Sequence, residues 1–200
     1  MTRRVIDPVR LSFVDVVTAS HAHTDHLDAE TLRAIQPRVL VCPEAIRDLA
    51  RERAGIEPRG LEEGATIDVP PFRVAAVHAE HPGAAPAFGY VIRCEEWRLY
   101  HAGDTLAFDG LGESLRSFAA DVAILPINGK VGNMSGSDAA AVAHTAGARI
   151  AVPCHYEMFE FNTASPDEFV RACDRLGQPR RVLRAGERLT MPGRGRRSGT

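Results

Sequence analysis

The sequence predicts an α/β fold in which two β-sheets pack face to face and helices cover their outer sides. Three observations carry that prediction. Short apolar or alternating runs, many of them rich in β-branched residues, recur along the chain. Between them lie runs with apolar residues at helical spacing, bounded by capping residues or glycine. No repeat, linker or shift of composition divides the 200 residues, so one domain with a sizeable core is expected over residues 1–192. Gly193–Thr200 is basic and Gly-rich and is expected to be a disordered tail.

Arg3–Ile6 reads as a short strand ending at Asp7, and Val14–Ala19 as a second strand. Asp28–Ile35 follows as a helix, with Asp28 as its cap and Leu32 and Ile35 on one face. Val39–Val41 is a fully apolar strand. Pro43 is expected in the first turn of the next helix, where its missing N–H costs nothing. Ile46, Leu49 and Ala50 form that helix's inner face, and Gly55 ends it. Ala65–Val69 and Phe72–His78 are strands separated by Pro70-Pro71. Phe88–Cys94 and Trp97–His101 form a hairpin through Glu95-Glu96.

Asp109–Ala119 is expected to be helical, with Leu111, Leu115 and Phe118 inward, and Val122–Leu125 is a buried strand. Pro126–Ser135 is a loop rich in Asn and Gly. Ser137 is expected to cap a helix carrying Ala139, Val142, Ala143 and Ala146 and closed by Gly147. Ile150–Val152 is the next strand. Ser165-Pro166-Asp167-Glu168 opens a helix as a capping box, with Phe169, Ala172, Cys173 and Leu176 inward and Gly177 as the stop. Arg181–Leu183 and Arg188–Met191 are expected to close a sheet.

The chemistry concentrates directly after Val14–Ala19. His21, His23, Asp25 and His26 fall within six residues on a loop between a strand and a helix. There their side chains can converge on a point. Neutral imidazoles and carboxylates are good ligands for zinc and similar divalent ions. An H-x-H-x-D-H run at such a junction is hard to reach by accident. The formal net charge of −2 argues against broad attraction to nucleic acid or membranes. Met1-Thr2-Arg3-Arg4 is not followed by a signal-peptide core, so a cytoplasmic location is expected. The four cysteines, Cys42, Cys94, Cys154 and Cys173, form no C-x-x-C pair and read as reduced thiols. Cys154 adjoins His155, and alternation along a strand points its thiol the other way.

The histidine run, together with Val5-Ile6-Asp7-Pro8, His81 before Pro82-Gly83, Gly103-Asp104-Thr105 and Pro153-Cys154-His155-Tyr156, resembles the five ordered motifs of the metallo-β-lactamase-fold hydrolase superfamily. The resemblance covers nearly the whole chain. It implies an αββα sandwich of two mixed sheets flanked by helices, with the motif loops at one edge. Members of that superfamily usually begin with a β-hairpin ahead of the motif aspartate. Few residues precede Asp7 here, so the hairpin is expected to be lacking, leaving the Arg3–Ile6 strand at an open edge that invites homo-oligomer formation. Two stretches, Asn128–Ser135 and Pro153–Phe159 with Asn162-Thr163, resemble the L-ascorbate-6-phosphate lactonase type.

The resemblance implies two divalent ions, zinc or manganese, as cofactors. His21, His23 and His81 would hold one and Asp25, His26 and His155 the other, with Asp104 bridging. Asp25 and Asp104 would be the catalytic carboxylates. Two cations about 3.5–4 Å apart need such an anionic bridge. His78 competes with His81 for the third motif, but it continues the alternation of Phe72, Val74 and Ala76, whereas His81 lies beyond the strand. Asp7 would orient a histidine or a motif loop without touching metal. Asn128, Lys130, Asn133 and Tyr156 are candidates for binding an anionic substrate.

The expected activity is that of a metal-dependent hydrolase in which a metal-bound hydroxide attacks a small lactone or phosphorylated metabolite. The alternatives are a phosphodiesterase or nuclease with the same dinuclear site, and a non-catalytic binder of metal or metabolite. The interval from Asp104 to His155 is too short for the nucleic-acid clamp of some family nucleases. A small molecule is the expected partner, with neither nucleic acid nor membrane.

Overall fold

The computed structural model describes residues 6–84, 86–157 and 162–191. Nine strands and five α-helices follow in chain order among them: β1 (Val16–Thr18), α1 (Ala29–Ile35), β2 (Val39–Pro43), α2 (Arg47–Ala54), β3 (Arg59–Leu61), β4 (Thr66–Val69), β5 (Phe72–Ala79), β6 (Ala87–Cys94), β7 (Trp97–His101), α3 (Leu111–Leu115), β8 (Val122–Pro126), α4 (Gly136–Ala146), β9 (Ile150–Cys154) and α5 (Asp167–Leu176). The first three strands form a parallel sheet in the order β1-β2-β3, and the other six form a mixed sheet in sequence order. In the larger sheet β4 to β7 are antiparallel neighbours, and β8 and β9 then run parallel to β7.

Side-chain alternation divides the core into three layers, and these define an αββα sandwich. Every residue of β2 is buried, so both of its faces are covered. Val39 and Val41 pack with Val74, Ala76, Phe88 and Tyr90 between the sheets, whereas Leu40 and Cys42 pack with Leu32, Ala50 and Ala54 beneath α1 and α2. The third cluster joins the far side of the six-stranded sheet, through Val77, Val91, Tyr100 and Leu125, to Leu111, Val142, Phe169 and Cys173 of α3, α4 and α5. The expected fold class is thus present, with the smaller sheet parallel throughout its described strands.

Several boundaries differ from the sequence expectation, each for a local reason. Pro43 ends β2 and caps a 3-10 turn, Glu44–Ile46, ahead of α2 rather than sitting inside the helix. β3 escapes pattern reading because it is three residues long and only Leu61 is buried. The helix expected over Asp109–Ala119 shrinks to α3 and a 3-10 turn, Arg116–Phe118. Ser135, not Ser137, caps α4: its Oγ accepts from Asp138 N at 3.2 Å, and the Asp138 carboxylate accepts from Ser135 N at 3.0 Å. The expected capping box of α5 does not form, because the Glu168 carboxylate accepts from Ser137 N at 3.2 Å and ties α5 to α4.

Arg181–Leu183 and Arg188–Met191 are not strands. Pairing stops at a single bridge between Arg180 and Ala151. Beyond it a local turn takes over, with Glu187 N donating to Arg184 O and the Glu187 carboxylate accepting from Arg184 N. Of the expected Arg3–Ile6 strand, residues 3–5 lie outside the described residues, as does the tail Gly193–Thr200. No helix among the described residues is long and apolar enough to cross a membrane.

Candidate metal centre

Strand direction brings the ligand loops together. β5 and β7 run the same way, each antiparallel to β6, and β9 runs parallel to them through β8. His81, Asp104 and His155 therefore emerge at one edge of the larger sheet. The loop after β1 meets them there from the other sheet. It is pinned where Phe88 N donates to Ser20 O at 3.0 Å and Tyr90 Oη donates to Ala19 O at 2.9 Å. Asp28 ends the loop by capping α1, accepting from Thr31 N at 3.0 Å. Arg53 of α2 holds the loop from outside, donating to Ala22 O at 2.8 Å and Leu27 O at 3.2 Å.

Three overlapping groups of ligand atoms result, in each of which the atoms lie within 4.8 Å of one another: His21, His23 and His81; Asp25, His26 and His155; and His21, His26 and Asp104. In the first, His21 Nε2 and His81 Nε2 lie 3.0 and 3.2 Å from His23 Nδ1. Asp104 faces both ends of the cluster. Its Oδ1 is 3.4 Å from His26 Nε2, and its Oδ2 is 3.6 Å from His155 Nε2 and 3.9 Å from His81 Nε2. His81 is the histidine that joins the cluster. His78 is exposed on β5 and contacts the Glu63 carboxylate at 2.8 Å.

The donor set fits divalent ions. His81 Nδ1 donates to Gly132 O at 3.1 Å, which leaves its Nε2 bare toward the cluster. Gly132 reaches that position with φ +82, and a Cβ there would lie 2.9 Å from His81 Nδ1 and 2.6 Å from Pro82 Cδ, so only glycine suits the approach. Burial, helped by the neighbouring His26, lowers the pKa of His21 to about 3, keeping the ring in its neutral, ligating form. Burial opposes the ionisation of Asp104, yet His155 and His26 outweigh it and hold its carboxyl well below the usual range. Asp104 in turn raises the pKa of His155 against burial. Bare imidazole nitrogens around an ionised carboxylate form a site for a cation.

A cavity of about 320 Å³ opens on the second group, lined by Thr18, Ser20, Asp25, His26, Tyr90, His101, Gly103, Asp104, Cys154 and His155. Among these, Cys154, His101 and Ser20 lie outside the expected ligand set. Cys154 was expected to turn away but lines the cavity; burial and the nearby Asp104 push its thiol up to about 12. His101 accepts from Gly103 N at 3.0 Å through Nδ1, which leaves its proton on Nε2. Ser20 contacts two ligand rings at once. Its one sequence signal is a hydroxyl residue between the apolar strand and His21.

The remaining candidates are placed elsewhere. Asp7 is exposed and accepts from Val9 N at 3.1 Å, capping a 3-10 turn. Asn133 is buried and accepts from Thr105 N at 2.8 Å, anchoring the Asp104 loop. Asn128 donates to Asn162 Oδ1 at 2.7 Å, Lys130 is exposed, and Tyr156 Oη donates to Leu183 O at 2.5 Å. None of these side chains lines the cavity.

Comparison with known proteins places this geometry in a class. Residues 1–156 match the Beta-lactamase superfamily domain, and the chain belongs to that superfamily. Within it, the chain belongs to the UPF0173 metal-dependent hydrolase family. A member from Opitutus terrae is 31% identical over 187 residues, spanning 88% of this chain and 81% of its own. Another, from Methanocaldococcus jannaschii, is 32% identical over 187 residues, spanning 89% and 83%. Among solved structures, Igni18, described as a novel metallo hydrolase from Ignicoccus hospitalis, is similar with a TM-score of 0.78 and 28% identity over 90% of this chain and 80% of its own.

Proposed function

We propose that this protein is a dinuclear metal-dependent hydrolase of small, uncharged lactones or related esters. The convergence of His21, His23 and His81 on one side of Asp104, and of Asp25, His26 and His155 on the other, carries the reading. Zinc or manganese bound there would polarise a carbonyl and make water nucleophilic near neutral pH.

The chain's own residues set the conditions for that chemistry. Asp104 supplies the negative charge that offsets repulsion between two cations. His81, through Gly132 O, keeps a fixed ring orientation. Asp25, with its side chain 41% exposed, stands where the cluster meets solvent. Hydrolysis joins a water oxygen to the carbonyl carbon, breaks the ring C–O bond and returns a proton to the departing alkoxide. His101 lines the cavity with its Nδ1 engaged by Gly103 N.

The lactone is preferred to a phosphorylated substrate because no Lys or Arg is among the cavity's described lining residues, so a phosphate there would find cationic partners only in the bound ions. The test is turnover of lactones, thioesters and phosphodiesters by protein reconstituted with zinc or manganese. Lactone hydrolysis is expected. Turnover confined to phosphodiesters would transfer the assignment to that class, and none on any class would leave a metal-binding protein without turnover.

A further inference from the structure

We infer that Ser20 is a positioning residue that fixes the ring tautomer of one ligand histidine in each of the two groups, an inference resting on the two-ion reading above. Its Oγ lies 2.9 Å from His21 Nδ1 and 3.0 Å from His26 Nδ1. His21 belongs with His23 and His81, and His26 with Asp25 and His155. One hydroxyl thus touches both halves of the site.

A hydroxyl has one proton and two lone pairs. It can accept from both rings, or donate to one and accept from the other. The opposite ring nitrogens decide between these. His21 Nε2 faces His23 Nδ1 at 3.0 Å, and His26 Nε2 faces Asp104 Oδ1 at 3.4 Å, so both point into the ligand cluster. A ligating imidazole nitrogen is bare, and its ring partner then carries the proton. Both Nδ1 atoms are therefore donors, and Ser20 Oγ accepts from both.

The surroundings hold the hydroxyl in that place. Ser20 is buried, and its carbonyl is engaged by Phe88 N. Gly103, at φ +64, presses the Asp104 loop against it: a Cβ on Gly103 would lie 2.7 Å from Ser20 Cβ and 3.0 Å from Ser20 Oγ. The residue that orders the two rings is thereby packed on the loop that carries the shared carboxylate. His81 draws the same service from a backbone carbonyl, Gly132 O. Only the Ser20 contact can be removed by changing a side chain.

The experiment uses Ser20→Ala, which deletes one atom and keeps the packing. Zinc affinity is measured by chelator competition, and the imidazole N–H groups of the zinc-loaded protein by ¹⁵N NMR. In the wild type, His21 and His26 are expected to show protonated Nδ1 with slowed exchange. In Ser20→Ala those signals broaden into solvent exchange, and affinity for both ions falls by about 10–100-fold, the usual effect of losing a ligand's orienting partner. Unchanged affinity, a loss confined to one of two bound ions, or an Nε2–H on either wild-type ring would overturn the inference. The number of zinc ions held by the wild type tests the two-ion reading separately. A one-ion wild type defeats that reading, while the Nδ1 protons and the Ser20→Ala affinity still report on Ser20.

Discussion

The two ligand groups share Asp104 and Ser20 but are built to different tolerances. In the first group His21 and His81 are buried, their rings tied to Ser20 Oγ and Gly132 O. In the second group the Asp25 side chain is 41% exposed. His155 sits in left-handed backbone at φ 58, and its Nδ1 is buried with no hydrogen-bond partner among the described residues. The first group is the more enclosed, whereas the second opens on the cavity through Asp25, with His26 held by Ser20 Oγ and His155 facing Asp104. Rigid ligands are pre-organised for an ion; looser ones must be ordered by it. On the two-ion proposal, this difference would give retention of metal to the first group and access for substrate to the second.

The largest expected effect comes from the residue that serves both. Asp104→Asn keeps the shape but removes the charge facing His26, His81 and His155. Loss of a transition-state interaction of roughly 3–4 kcal/mol corresponds to a rate loss of a few hundred-fold. The variant should fold normally, bind at least one ion more weakly and lose at least about two orders of magnitude in turnover. A metal-loaded Asp104→Asn protein with unimpaired turnover would break the dinuclear reading of both groups.

Next come variants that separate the groups. His81→Ala and Asp25→Ala should each cost about one metal equivalent, measured by elemental analysis, but from different ends of the affinity range. Stepwise chelation of the wild type should release its ions in two stages. Asp25→Ala should lack the easily released ion, and His81→Ala the tightly held one. Release in the opposite order would reverse the assignment of rigidity to the first group.

The ligands were unequally legible in the sequence, and in the same way in both groups: two of each lie in the histidine loop and one stands alone. His21, His23, Asp25 and His26 announce themselves because strand, loop and cap are contiguous, and the loop is short enough to force convergence. His81, Asp104 and His155 are single residues, and only their resemblance to ordered motifs marks them. The four layers follow from alternation in β2 and β5, where neighbouring residues belong to different core clusters. The contacts that orient the rings left little trace. Gly132 O is a backbone atom 51 residues from His81, and Ser20 is one hydroxyl among many. Asn133 looked like a substrate ligand, since a buried Asn that anchors Thr105 N is indistinguishable in sequence from one that faces a pocket.

The smallest expected effect sharpens the comparison most cheaply, by setting two histidines three residues apart against each other. Along β5, Val74 and Ala76 face the smaller sheet, and His78 continues that face past the end of the core, where it is exposed. Its Nδ1 contacts the Glu63 carboxylate at 2.8 Å, and its ring meets Phe108 edge-on at a centroid distance of 5.2 Å. The strand stops at Ala79, alternation stops with it, and His81 turns inward to His23 instead. Exposed pairs of the His78 kind contribute about 0–1 kcal/mol. His78→Ala should therefore lower the melting temperature by at most a few degrees and leave both metal equivalents and turnover in place. Loss of a metal equivalent in His78→Ala with retention in His81→Ala would shift the end of β5 by one turn of its pleat and return the third ligand position to His78.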